Sequence, residues 1–182
     1  DVCSSDLETP DTRFFSGYYL TVSRTNVSDH VQRGHYAGKL DYVLPEDTGY
    51  YSQAMAGSFS NLGTPYTALN LWVYGDGSGN QLSFLYTGDI KSDLELPVTT
   101  LDFTGWKQIN VPLPQDFTLS GVVIYAPSTT DATWDHIQVT YADTPRSGTV
   151  YIDQITAAFP GTVDNAPPTV TAALDEQTQT IS

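Results

Sequence analysis

Only one cysteine and seven basic residues occur in the 182 residues of this chain, and each shortage excludes something. Cys3 has no partner for an internal disulfide, so the fold has to stand on its core, with or without help from a metal. Lys and Arg total 7 against 21 Asp and Glu, giving a net charge of -14 and a pI near 4.1. Such a surface repels nucleic-acid phosphates and anionic lipid, which argues against nucleic acid and membrane as partners. No apolar run reaches the roughly 18 residues that a membrane helix needs. Glutamate is also scarce, confined to Glu8, Glu46, Glu95 and Glu176. A glycosidase works with two carboxylates at a set separation, and the Asp93/Glu95 pair has no third acidic residue two positions on. His30, His35 and His136 lack zinc spacing, and neither a nucleophile elbow nor a phosphate-binding loop is present. The sequence is therefore expected not to be an enzyme.

What is present is β-forming material. The chain is 40% hydrophobic and 12% aromatic, with 12 Tyr, 14 Gly and 11 Pro, the composition of an ordered β protein. In LNLWVY (69–74), Leu69, Leu71 and Val73 alternate with Asn70, Trp72 and Tyr74, a strand with two unlike faces. GDGSGN (75–80) reads as a turn and Gln81–Tyr86 as a returning strand, which together predict a hairpin. WKQINVPL (106–113) alternates again, until Pro112 and Pro114 withdraw backbone donors. In GTVYIDQI (148–155), Tyr151, Asp153 and Ile155 are expected on one face, with Val150, Ile152 and Gln154 on the other. Further strands are expected over Phe14–Val22, Gly38–Leu44, Tyr50–Phe59, Val122–Ala126 and Ile137–Tyr141. Eight to ten short strands separated by turn signals predict an all-β, two-sheet antiparallel β-sandwich or jelly roll.

Three segments are expected. The opening DVCSSDL (1–7) is similar to translated sequencing-adapter remnants at the ends of metagenomic fragments, and is set aside as a non-native scar. Residues 8–161 form the sandwich. Residues 162–182 form a proline-stiffened linker and the start of a second domain, where alternation resumes at Thr169–Leu174.

Six phrases in order carry a family resemblance: LET near the start, GHYAGKLDY (34–42), LNLWVYGDGSGN (69–80), LDFTGWKQINVPLP (101–114), LSGVVIYAP (119–127) and GTVYIDQI (148–155). Together they resemble the galactose-binding-like, carbohydrate-binding-module type of jelly roll that accompanies bacterial phosphodiester glycosidases and other secreted polysaccharide-active proteins. DNAPPTVTAALDE (164–176) resembles the first strand of a bacterial immunoglobulin-like repeat. The resemblance implies a non-catalytic, monomeric, extracellular or cell-surface bacterial module. It would hold a polysaccharide or oligosaccharide on behalf of an upstream catalytic domain. The alternative is a structural or adhesive spacer with the same fold and no sugar site.

A sugar ring presents C–H groups on its face and hydroxyls around its rim, so it needs aromatic platforms flanked by hydrogen-bonding side chains. Asn70, Trp72 and Tyr74, joined by Gln81 and Ser83 from the next strand and by Trp134, His136, Gln138 and Thr140, are the expected carbohydrate-binding residues. Trp72 and Tyr74 have a competing reading, as rings packed beneath a covering loop. Trp106, placed where a turn enters a strand, reads as core or hinge packing. The resemblance also implies structural Ca2+, with Glu8 and Asp153 as acidic ligands and backbone carbonyls near Gly38 and Lys39 as companions.

Overall fold

A computed structural model describes residues 4–5, 14–46, 51–56, 66–87, 93–114, 117–132 and 137–158. The strands are β1 (Ser4–Ser5), β2 (Phe14–Phe15), β3 (Leu20–Thr25), β4 (Ala37–Val43), β5 (Tyr51–Ala56), β6 (Ala68–Asp76), β7 (Gln81–Thr87), β8 (Asp93–Thr100), β9 (Thr104–Pro112), β10 (Thr118–Tyr125), β11 (Ser128–Ala132), β12 (Ile137–Tyr141) and β13 (Ser147–Ala158). One sheet has the order β3-β4-β13-β6-β9, with β1 added on β13; a second has the order β2-β5-β10-β7-β8. All of these ladders are antiparallel. A separate ribbon pairs β11 with β12.

The two sheets face each other across a core that the period-two alternation sets up. Leu40, Leu69, Leu71, Val73, Ile109, Val111, Val150 and Ile152 enter it from the six-stranded sheet; Leu82, Phe84, Val122 and Ile124 enter from the five-stranded sheet. Each such side chain taken fully out of water contributes about 1.5–3 kcal/mol. The expected two-sheet antiparallel sandwich is what the chain forms.

Several local expectations are corrected. Phe14–Val22 is not one strand: β2 lies in one sheet and β3 in the other, joined through Tyr19, whose φ of 56° lets the chain turn between layers. GDGSGN does not close a hairpin, because β6 and β7 belong to different sheets. It is a crossover that runs beside the β8–β9 crossover, with Gly77 and Gly79 amides donating to Phe103 and Leu101 carbonyls, each at 2.9 Å. A turn composition does not encode which sheet the next strand joins. Ile155 lies in the core and not beside Asp153, because a bulge between Asp153 and Thr156, with Gln154 at φ 51°, shifts the strand by one residue. The polar STTDA segment forms strand β11. Residues 1–3, 6–13 and 159–182, including the Thr169–Leu174 run, fall outside the described residues.

The crossover is braced by a buried polar cluster. The Tyr42 hydroxyl donates to Asp76 at 2.7 Å and receives the Asn80 amide at 3.0 Å. Asn80 also donates to the Pro145 carbonyl at 2.9 Å and accepts from Thr144 at 2.6 Å. Asp76, which also accepts the Ser78 amide at 3.0 Å, therefore holds the crossover in place. Burial pushes the Tyr42 phenol up to about 12, and its carboxylate neighbour Asp76 adds to the rise.

Candidate functional site

Each sheet has an outward face, and the expected carbohydrate residues divide between them. Asn70, Trp72 and Tyr74 point out from β6 on the six-stranded sheet. Their cross-strand neighbours on β9 are Asn110, Gln108 and Trp106, and on β13 Thr156, Asp153 and Tyr151. Trp106, expected in the core, is thus an outward residue: its ring meets Tyr74 edge-on with centroids 5.5 Å apart. Gln81 lies on β7 in the other sheet, and Gln138 is exposed on the β11–β12 ribbon. Trp134 and His136 lie outside the described residues. The expected patch shared by three neighbouring strands is therefore not formed, since β6 and β7 are not neighbours.

Over β13 the outward face of the six-stranded sheet is roofed. The segment 26–36 folds across it, and His30 stacks on Tyr151 with centroids 4.1 Å apart and planes 9° from parallel, while meeting Tyr74 edge-on at 5.0 Å. Tyr74 thus follows the covering-loop reading. Asp153 fixes this roof. Its Oδ2 accepts the Gln32 and Arg33 amides at 2.9 and 3.0 Å, and its Oδ1 accepts its neighbour Gln154 at 2.7 Å. It is only 2% exposed, so those donors offset the cost of burying a charge.

The expected calcium set can be checked at the same place. Glu8 lies outside the described residues. Lys39 commits its ammonium to Asp41 at 2.7 Å. Burial opposes ionisation of Asp41, but hydrogen bonds from Lys39 and Thr149 and the Lys39 charge outweigh it and hold the carboxyl below its usual range. Among the described residues no group of three or more His, Cys, Asp or Glu comes together around a metal-sized space. At Asp153 they supply one buried carboxylate that already accepts amides; the six to eight oxygens of a calcium site would require Glu8 and backbone carbonyls as well.

The outward face of the five-stranded sheet differs in kind. Register puts Gln53, Val123, Ser83 and Pro97 in one row across β5, β10, β7 and β8. Tyr19, 45% exposed, bridges to Gln53 at the end of this row, beside Tyr18 at 72%. The next row holds Tyr125, Gln81 and Thr100, and a third holds Gly121, Leu85 and Glu95. The Gln81 amide is fixed by donating to the Leu82 and Thr99 carbonyls at 3.1 and 2.9 Å and by accepting the Thr100 hydroxyl at 3.1 Å.

Ser83 is the anomaly in this face. It is 0% exposed although it points away from the core, and its Oγ has no hydrogen-bond partner among the described residues. The half-buried Tyr125 phenol lies beside it and beside Glu95. Burial raises the phenol's pKa and the Glu95 carboxylate raises it further, while Ser83 acts the other way. A buried hydroxyl without a partner costs about 1–3 kcal/mol, a cost that a water, or a ligand that displaces its cover, would remove. Sequence reasoning named Ser83 only as an adjunct of the β6 patch, and missed Tyr125 because VVIY reads as a plain apolar strand. Their conjunction depends on the β10–β7–β8 pairing, which no local pattern shows.

The family profile described as carbohydrate binding domain (family 11) matches residues 16–159. No curated protein matches the chain. A family 11 carbohydrate-binding module from Clostridium thermocellum, solved with a β-1,3-1,4-mixed-linked tetrasaccharide, superposes with a TM-score of 0.53 at 17% identity, covering 84% of this chain and 91% of that one. The family 11 module of a cellulosomal cellulase of Clostridium thermocellum gives a TM-score of 0.53 at 14% identity, covering 87% and 95%. The joined family 22 binding and catalytic modules of a Clostridium thermocellum xylanase, complexed with xylohexaose, match with a TM-score of 0.50 at 14% identity, over 87% of this chain and 28% of that one. At these identities the solved structures establish the shared sandwich fold.

Proposed function

The chain belongs to the carbohydrate-binding domains of family 11, and from that premise we propose that it holds a neutral polysaccharide on the outward face of the five-stranded sheet. The observation that carries this reading is the buried, unpartnered Ser83 hydroxyl beneath Tyr125. Tyr125 offers a ring for the C–H face of a sugar, and Ser83, Gln81, Glu95 and Gln53 offer hydrogen-bonding groups for its hydroxyls. The mixed-linked tetrasaccharide seen with one family 11 module makes β-linked glucans the first ligands to try.

The module is read as a non-catalytic, monomeric unit of a secreted or cell-surface bacterial protein, acting by keeping a linked catalytic domain close to its substrate. The joining of a similar sandwich to a catalytic module in a xylanase supports that arrangement. Among the described residues no helix is long and apolar enough to cross a membrane. Calcium enters the proposal as a brace at Asp153, completed by Glu8 and the carbonyl of Lys39; burial of the Asp153 carboxylate supports it. The spacer reading is disfavoured by Ser83, since a surface without a ligand has no use for a buried, unpaired hydroxyl.

Titration of the full chain with mixed-linked β-glucan tetrasaccharide, alongside xylan and mannan oligosaccharides, tests the reading. Binding to at least one, weakened about tenfold or more by Tyr125→Ala, an expected loss of about 1.4 kcal/mol, supports it. Binding that is indifferent to Tyr125 refutes the site, and absence of binding to every neutral glycan refutes the function.

A further inference from the structure

The open end of the six-stranded sheet's outward face is not absorbed by the roof over β13. On β6 and the edge strand β9, three rungs pair Asn70 with Asn110, Trp72 with Gln108 and Tyr74 with Trp106. Gln108 and Asn110 are exposed and the two indoles are half-buried. The Asn110 amide donates to the Asn70 carbonyl oxygen at 2.7 Å. That bond fixes both side chains while leaving the Asn70 amide hydrogens and the Asn110 oxygen without a partner among the described residues. No side chain in these rungs is charged, in a chain with 21 acidic residues. The edge strand β9 carries Lys107 and Pro112, as protected edges do, but the side chains it contributes to the three rungs are an indole and two amides, Trp106, Gln108 and Asn110.

We propose that Asn70, Trp72, Trp106, Gln108 and Asn110 form a second carbohydrate-contacting surface, on the opposite side of the sandwich from Ser83 and Tyr125, whose ligand is a neutral glycan chain. The inference rests on the glycan-binding reading above and extends it. Indole faces match the C–H side of a pyranose, and paired amides supply both donors and acceptors for its hydroxyls. None of the six rung side chains is a cation and the net charge is -14, which argues against acidic polysaccharides as the occupant although Lys107 lies between two rungs on β9. Packed sheets lie about 10 Å apart with their outward faces turned away from each other, so one short oligosaccharide cannot span both surfaces. A polymer, or two neighbouring chains of one, can. The second surface therefore adds to retention on polysaccharide while leaving oligosaccharide affinity alone.

The test compares affinity electrophoresis in gels containing soluble mixed-linked β-glucan, xylan or glucomannan with titration by the mixed-linked tetrasaccharide, using the full chain throughout. Asn110→Ala combined with Gln108→Ala, both exposed, and separately Trp106→Ala, are expected to lower retention by polymer about fivefold while changing tetrasaccharide affinity less than twofold. The amide pair decides the matter if Trp106→Ala fails to fold. Tyr125→Ala is expected to weaken both readouts. If the parent is retarded and the rung variants are retarded equally, the second surface is refuted and the glycan-binding reading stands. If the rung variants lose retention while Tyr125→Ala does not, this surface stands and the Tyr125 site falls. A parent that no neutral polymer retards overturns both.

Discussion

A single methyl group at Gly148 probes the polar brace of the β6–β7 crossover. Gly148 pairs with Tyr42 across β13 and β4, and a Cβ built there lies 2.6 Å from the Tyr42 hydroxyl and collides with the Asp76 carboxylate. The Tyr42–Asp76 hydrogen bond, 2.7 Å long, therefore has to open to admit an alanine. A hydrogen bond to a charged group contributes about 1.5–3 kcal/mol, whereas Gly→Ala at an unstrained position returns about 0.4–1 kcal/mol through the unfolded chain. Gly148→Ala should thus cost roughly 0.5–2.6 kcal/mol. With a urea slope of about 2 kcal/mol/M, that lowers the unfolding midpoint by about 0.25–1.3 M. In a Tyr42→Phe background the same substitution should cost much less, because the bond it opens is already gone. A neutral or stabilising Gly148→Ala, or an undiminished cost beside Tyr42→Phe, would refute this account of the brace.

Three further outcomes follow from the same structure. Tyr42 has its folded pKa raised to about 12 against an ordinary value of 10.0, so its contribution is complete below pH 10 and is lost as pH rises towards 12. Thermal melts should show a drop of at most about 2–3 kcal/mol across that interval, absent in Tyr42→Phe. Asp153→Asn replaces an acceptor of three amides by a group that is half donor; it should cost about 2 kcal/mol and speed hydrogen exchange at Gln32 and Arg33, and unchanged exchange at those amides would refute the roof's anchorage. If calcium braces Asp153, a chelator lowers the melting midpoint of protein purified with the ion by several degrees, and an unchanged midpoint leaves Asp153 with its amides alone.

The sandwich was legible because alternation marks a strand with one buried face whichever sheet it joins. Leu69, Leu71 and Val73 are all fully buried as their spacing implies. Sheet membership was not legible. GDGSGN has the composition of a hairpin turn and works as a crossover, so a patch spanning β6 and β7 was drawn across two separate faces. The bulge at Gln154 was equally hidden, since a positive φ at a glutamine is set by the neighbouring strands and not by its own preference. Trp106 was misplaced because position at a turn says nothing about facing. Ser83 and Tyr125 escaped as a pair because their meeting depends on pairing between β10 and β7, some 40 residues apart in sequence.

Amide chemical shifts of the labelled chain, followed while a neutral β-glucan oligosaccharide is added, test the central claim most directly. The account predicts that the largest changes fall at Gln81–Leu85, Glu95–Thr99 and Val123–Tyr125. Changes confined to β6 and β9, or no changes with any neutral glycan, would contradict it.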